Sequence, residues 1–254
     1  MSPMQSPGQY CLTFWYSMFG SDIGALNVYK EMNDGNKTVI FSKDKDIGVP
    51  DWWKSVSNIN AYDSYQIVFE GINGDGHRGD IAIDDISIRS GSCSIDCDFD
   101  VDFCNWMQFD GDDFNWNRGS GRASYRFTGP DVDKSGNGHY IYIDTSGKNR
   151  HGTAILFSPL QDAGKYCLSF LYYMYGVDID RLQIQIWNTN GSDRRTMFTL
   201  ESAQGHKWFH KTISLYSMDV FQIAVEGRTN YWWYWFSGVL AIDDVTLLSC
   251  PGKC

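Results

Sequence analysis

The chain has 254 residues, 43% of them hydrophobic and 16% aromatic, which suits one large or two ordinary domains with real cores and excludes a disordered chain. A formal net charge of -10 argues against a nucleic-acid partner, since phosphate binding needs a basic surface, and suits a protein that meets divalent cations. No apolar run reaches the length of a membrane span, and MSPMQSPGQY has neither the basic start nor the apolar stretch of a signal peptide.

In chain order, YCLTFWYSMFG (10–20) is aromatic, apolar and closed by Gly20, which predicts a strand. MNDGNK (32–37) carries the hairpin signal Asp34-Gly35, and QIVFEG (66–71) and IAIDDISI (81–88) predict two further strands. HYIYID (139–144) falls in the middle of the chain, and YCLSFLYYMYG (166–176) repeats the first strand. RLQIQIW (181–187) alternates cleanly and runs into Asn190-Gly191, while QIAVEG (222–227) and LAIDDVTLL (240–248) repeat the later strands. No segment sustains a helical apolar period with caps, so the class is all-β, with two sheets packed face to face.

These pairs of segments are copies. Ser2-Pro3-Met4-Gln5 falls on Ser158-Pro159-Leu160-Gln161 at an offset of 156, and Cys11, Trp52 and Gln66 fall on Cys167, Trp208 and Gln222. After Gly227 the second copy is longer by three, so Ile83-Asp84-Asp85 meets Ile242-Asp243-Asp244 at an offset of 159. The expected organisation is an incomplete unit over 1–93, a complete unit over 94–250, and the start of a following unit at 251–254. On this register Cys11 pairs with Cys93, Cys97 with Cys104 and Cys167 with Cys250, leaving Cys254 unpaired. Six paired cysteines imply an oxidising, extracellular setting, whether secreted or an ectodomain.

CDFDVDFCNWMQFDGDDFNWNR at the start of the complete unit, GNGHYIYIDTS in its middle, SPLQDAGKYCLSFLYYMYG after that and LAIDDVTLLSC at its end resemble the MAM domain, named for meprin, the A5 antigen and receptor tyrosine phosphatase mu. The resemblance spans Cys97 to Cys250 in full and repeats its second half over residues 2 to 93. It implies a jelly-roll β-sandwich with first-to-second and third-to-fourth cysteine pairing, in extracellular adhesion or oligomerisation modules whose partners are other extracellular proteins or a second copy. The parent is a multi-MAM protein, or a receptor or protease carrying these modules in a non-catalytic part.

Strand alternation places Ala82, Asp84, Ile86 and Ile88 on one face, and likewise Val239, Ala241, Asp243, Val245 and Leu247. A carboxylate in such an apolar row needs a partner. The partner is either an oxygen-ligated cation such as Ca2+ or a backbone N–H network or buried arginine such as Arg118. The resemblance implies a calcium between first and last strands, held by Asp100, Asp133 and Asp243, with Asp84 its counterpart in an incomplete site.

Adjacent carboxylates on a strand face opposite ways and cannot be a glycosidase pair, and no GxSxG, HExxH or phosphate loop is present, so no enzymatic activity is expected. His206 and His210 are expected at a strand surface. Tyr231, Trp232, Trp233, Tyr234 and Trp235, with Phe236, form an aromatic loop in the second unit only. Such a loop can serve a protein interface, stack on a glycan as in carbohydrate-binding jelly rolls, or simply cover the end of the sandwich. Asn36 and Asn190 head sequons at matched hairpin tips, and Arg78-Gly79-Asp80 spells an integrin tripeptide in the first unit only.

Overall fold

A computed structural model describes residues 1–44, 48, 50–122, 128–145, 152–188, 193–230, 238–250, 252 and 254. It divides into two units, Met1–Ser94 and Ile95–Cys254. Among the described residues every regular element is a β-strand.

The second unit contains β7 (Met107–Gln108), β8 (Asn117–Ser120), β9 (His139–Asp144), β10 (Thr153–Phe157), β11 (Gly164–Gly176), β12 (Ile179–Asn188), β13 (Arg194–Glu201), β14 (Gly205–Ser217), β15 (Phe221–Thr229) and β16 (Gly238–Ser249). They form two five-stranded antiparallel sheets, β14-β11-β16-β9-β8 and β13-β12-β15-β10-β7, the jelly-roll β-sandwich expected from the strand pattern and the resemblance. Residues alternating along β11 and β15 bury Leu168, Phe170 and Met174 against Phe221, Ile223 and Val225. Phe99, Trp106, Trp116, Ile141 and Leu156 complete this core from the opening half. Both indoles are satisfied inside it, Trp106 Nε1 donating to the Ile95 carbonyl at 2.8 Å and Trp116 Nε1 to that of Ala154 at 3.2 Å.

The first unit contains β1 (Gly8–Phe19), β2 (Ile23–Met32), β3 (Lys37–Asp44), β4 (Trp53–Ala61), β5 (Tyr65–Asn73) and β6 (Asp80–Ser90). Its sheets have three strands each, β4-β1-β6 and β3-β2-β5, enclosing Leu12, Phe14, Met18, Val28, Tyr65 and Ile67. The copies match in detail. Ser2 donates its backbone N–H to the Ile67 carbonyl as Ser158 does to Ile223, and each hydroxyl accepts the N–H of that same isoleucine at 2.9 Å.

Two bonds expected from the repeat are present, Cys11–Cys93 and Cys97–Cys104. The expected Cys167–Cys250 bond is not: Cys167 is joined to Cys254, and Cys250 keeps a free thiol. The reason lies in strand register. The Cys250 N–H donates to the Lys165 carbonyl, and the bond at the same place in the first unit is Gly91 to Gln9, so Cys250 occupies the position of Gly91 and not that of Cys93. It directly follows β16 and is still hydrogen-bonded to β11. A cysteine must lie further along to cross β11 toward β14, where Cys254 meets Ser214, opposite Cys167 in register, and where Cys93 meets Asn58, opposite Cys11. Cys254, expected to open a following unit, is thereby bonded into the second one.

Candidate functional site

The alternation read along Ile-Asp-Asp is interrupted. Between Ser169↔Thr246 and Leu171↔Asp243 the β16 strand holds one extra residue, and β6 has the same bulge between Thr13↔Ser87 and Trp15↔Asp84. The second aspartate of each pair takes the left-handed backbone region, φ 49° at Asp85 and 46° at Asp244, which aspartate tolerates better than bulky residues. The first aspartate caps the bulge, Asp84 and Asp243 each accepting the N–H of the next residue at 2.8 Å. The bulge also flips the face. Val245 lies in the main core with Leu240 and Ile242, whereas Val239 and Ala241 pack on the other side with Tyr140 and Tyr173. The single apolar row expected for Val239 to Leu247 is therefore two half-rows, and Asp243 does not belong to the main core.

What covers Asp243 is the segment 128–138, fastened to the sheet by aromatic side chains. Trp208 Nε1 donates to the Val132 carbonyl at 2.9 Å and the Tyr173 hydroxyl to that of Thr128 at 2.9 Å, while the Tyr140 hydroxyl donates to the Gly121 carbonyl, ahead of the segment, at 2.5 Å. A pocket of about 450 Å³ opens beside this segment, lined among others by Val132, Lys134, Tyr173, His206 and Trp208. Asp133, which also lines it, and Asp243 are 4% and 2% exposed, burial that only a carboxylate with partners normally tolerates.

Asp133 sits in a cradle of backbone donors, from Ser135 at 2.9 Å, Gly136 at 2.8 Å and Gly138 at 2.9 Å. Burial alone would raise its carboxyl, but Ser135 and these backbone donors hold it below the usual carboxylate range. Asp100 accepts the His139 N–H at 2.7 Å. The two carboxylates converge over Gly138, where an added Cβ would lie 2.2 Å from Asp100 Oδ1 and 2.7 Å from Asp133 Oδ2. Burial pushes the Asp243 carboxyl up to about 7, helped by the charges of Asp244 and Asp133. Asp244 is raised in turn by burial and by Asp98, Asp133 and Asp100.

The structure thus gathers Asp100, Asp133 and Asp243 in one acidic neighbourhood and adds Asp98 and Asp244. Asp98 was visible only as one of many acidic residues, and Asp244 reads as outward-facing unless the bulge is known. Arg118 serves carbonyls instead, donating to those of Phe99 and Asp100. No ion pair among the described residues involves these five aspartates. An all-oxygen, negatively charged, part-buried set is what a hard cation such as calcium selects. Asp84, by contrast, is exposed in the first unit. Of three-residue groups among the described residues, only the Cys167, Cys250 and Cys254 sulfurs all fall within 4.8 Å of one another, so the aspartates are neighbours and not a closed ligand shell.

The remaining candidates fall elsewhere. Tyr231 to Trp235 and Asn190 lie outside the described residues. Asn36 is exposed at the β2–β3 turn, its side chain donating to Asp34 at 2.6 Å. Arg78, Gly79 and Asp80 are exposed, yet the Arg78 backbone is tied to Asp22 through both its N–H and its carbonyl, and Asp80 opens β6 opposite Phe19. His206 lies edge-on to Tyr175 with ring centroids 4.9 Å apart, and His210 contacts Ser169 at 3.2 Å on the surface shared by β11 and β14.

The model of the MAM domain, meprin/A5/mu, matches residues 1–94 and 97–254. The chain belongs to the MAM domain family. It is 27% identical over 263 residues to MAM domain-containing protein 2 of Mus musculus and 28% over 260 residues to that of Homo sapiens, matches that cover 96% of this chain. The chain spans 37% of the length of each of these relatives. A stretch of 88 residues, 34% of this chain and 9% of the relative, is 43% identical to MAM domain-containing glycosylphosphatidylinositol anchor protein 2 of Mus musculus. Among solved structures, the K1 cleaved adhesin domain of Lys-gingipain from Porphyromonas gingivalis W83 is similar at TM-score 0.44 and 16% identity, covering 62% of this chain and 98% of that one. The CBM22-1-CBM22-2 tandem domain from Paenibacillus barcinonensis Xyn10C is similar at 0.39 and 12%, covering 97% and 80%. No helix among the described residues is long and apolar enough to cross a membrane.

Proposed function

We propose that the chain is a non-catalytic extracellular interaction module that binds another extracellular protein or a second copy of itself. The observation that carries this reading is the tandem of family-matched sandwiches closed by disulfides, which fits an oxidising compartment. The Ser169–His210 contact lies on open sheet, whereas nucleophilic catalysis needs a base oriented by a third group and a site for the developing charge.

The second unit is stabilised by a divalent cation, calcium by its ligand chemistry, held by Asp100, Asp133 and Asp243 with Asp98 and Asp244 beside them. When bound, the cation supplies the positive charge that this buried acidic set otherwise lacks, and it ties the segment 128–138 to the last strand. Its work is structural.

Beads coated with the full chain test the interaction reading. Aggregation of coated beads, or capture of a defined ectodomain from a cell-surface panel, supports it. Saturable binding to a glycan array with no protein binding would replace it with a lectin function, and binding to neither would remove it.

A further inference from the structure

Three of the chain's seven cysteines meet at one corner of the second unit. The Cys167, Cys250 and Cys254 sulfurs all lie within 4.8 Å of one another, two of them joined and the third a half-buried thiol. Strand register explains how they meet. Tyr166 is opposite Ser249 and Cys167 opposite Leu248, and the Cys250 N–H donates to the Lys165 carbonyl, which places Cys250 one step further, opposite Lys165. Residues two apart on a strand share a face, so Cys250 and Cys167 are diagonal neighbours on the outer side of the β11–β16 pair, where Leu248 is 66% exposed. The first unit has Gly91 at this place, so glycine and not a thiol stands beside Cys11–Cys93.

We infer that Cys250 is the nucleophile of an internal thiol–disulfide exchange that opens the Cys167–Cys254 bond. As a thiolate, Cys250 attacks the Cys167 sulfur; the Cys167–Cys250 bond forms, the Cys167–Cys254 bond breaks, and the electron pair leaves on Cys254. One disulfide and one thiol are present before and after. No oxidant or reductant is consumed, and the proton given up by Cys250 reaches Cys254 through solvent. The surroundings set the direction of attack. The Ser214 hydroxyl donates to the Cys254 sulfur at 3.1 Å and so stabilises charge on the leaving atom. Once protonated, that thiol has the carbonyls of Tyr166 and Ile213 as acceptors, each 3.7 Å from its sulfur. Diagonal strand neighbours stand about 7 to 8 Å apart, beyond the usual disulfide Cα span of about 4.4 to 6.8 Å, so Cys167–Cys254 is the resting bond and Cys167–Cys250 the minor one. The exchange hands the thiol from half-buried Cys250 to exposed Cys254, where a thiol-reactive partner reaches it.

The test alkylates the oxidised 254-residue chain with iodoacetamide and maps its peptides without reduction. A rapid arm in large excess of reagent traps the resting thiol, marking Cys250 and leaving Cys167 joined to Cys254. A slow arm at about pH 8.5, where thiols are partly thiolate, uses dilute reagent so that exchange outruns alkylation. The expected result is label on Cys254 in chains that join Cys167 to Cys250, at least about fivefold more than in the rapid arm, rising as the reagent is diluted and independent of chain concentration. Cys250→Ser, which removes the nucleophile and keeps the Cys167–Cys254 bond, should leave Cys254 unlabelled. Label confined to Cys250 at every dilution would overturn the exchange. So would label on Cys254 in Cys250→Ser, or label there in proportion to chain concentration. Label on Cys167, with Cys250 joined to Cys254, would overturn the direction of attack.

Discussion

The Asp243 carboxylate accepts the backbone N–H of Asp244 at 2.8 Å, and Asp84 holds Asp85 in the same way at the same bulge of the other unit. The paired aspartates are thus first a backbone device, one residue capping the bulge and the other entering the left-handed region. The second unit buries that device under a further segment, and burial there pushes the Asp243 carboxyl up.

Substitution at the bulge separates these roles. Asp244→Gly keeps the left-handed backbone accessible and should cost little, whereas Asp244→Val puts a β-branched residue at φ 46° and should destabilise the second unit by about 1 to 3 kcal/mol. Urea unfolding of the two variants side by side checks this. Equal costs would mean that the side chain, not the backbone, sets the requirement.

The pH dependence has a definite sign. Burial, then Asp244 and Asp133, raises the Asp243 carboxyl to about 7, and Asp112 is likewise pushed up to about 7 by burial against its Ile155 hydrogen bond and by Asp113 and Asp110. In the folded chain both hold protons that the unfolded chain releases near the ordinary aspartate value, so stability falls as pH rises from about 4 to 7. Asp133 has the opposite sign, and its contribution is lost only as pH falls below the ordinary carboxylate range. In chelator the second unit should melt higher at pH 5.5 than at pH 8. Asp243→Asn should reduce that slope and stabilise the chain at pH 8 on the order of 1 to 3 kcal/mol, less than the full shift because a buried site relaxes. An unchanged slope would mean that Asp243 titrates normally.

Gly138 and Trp208 hold the covering segment from two sides. Gly138→Ala puts a methyl against Asp100 and Asp133, and Trp208→Phe leaves the Val132 carbonyl without its indole donor. Each should cost roughly 1 to 3 kcal/mol and speed hydrogen exchange across residues 133–138. Destabilisation without faster exchange there would place the damage elsewhere.

Much of this was readable in the residues. The 156-residue offset sets which strands correspond, because period-two alternation and hairpin turns survive in both copies, and Cys11–Cys93 follows from one cysteine near each end of the first unit. The bulge was not readable, since alternation assumes one residue per step and an extra one leaves no compositional mark. The last disulfide was missed for a related reason. Cys250 looks like Cys93 by spacing from its partner in C-x3-C, yet its backbone bond to Lys165 puts it level with Gly91, short of the Cys93 position. Asp100 and Asp133 were legible as acidic residues of the opening half through the resemblance, but their convergence over Gly138 depends on a fold of the segment 128–138 that no local pattern encodes.

The sulfur assignment can be read out chemically. Non-reducing peptide mapping should join the peptides of Cys167 and Cys254 and find one alkylatable thiol at Cys250. Cys250→Ser should leave that bond intact, whereas Cys11→Ser should cost the first unit about 2 to 5 kcal/mol. A Cys167–Cys250 peptide in the unmodified chain would contradict the register described for the end of β16.

The cation is tested most directly by calorimetric melting of the full chain at pH 7.5 in chelator and in about 2 mM calcium, a concentration within reach of extracellular calcium sites. The acidic set predicts an upward shift of several degrees confined to the second unit's transition, lost in Asp133→Asn and absent with magnesium, since calcium bound well above its dissociation constant adds a few kcal/mol to the folded state. Superimposable melts with and without calcium would contradict it.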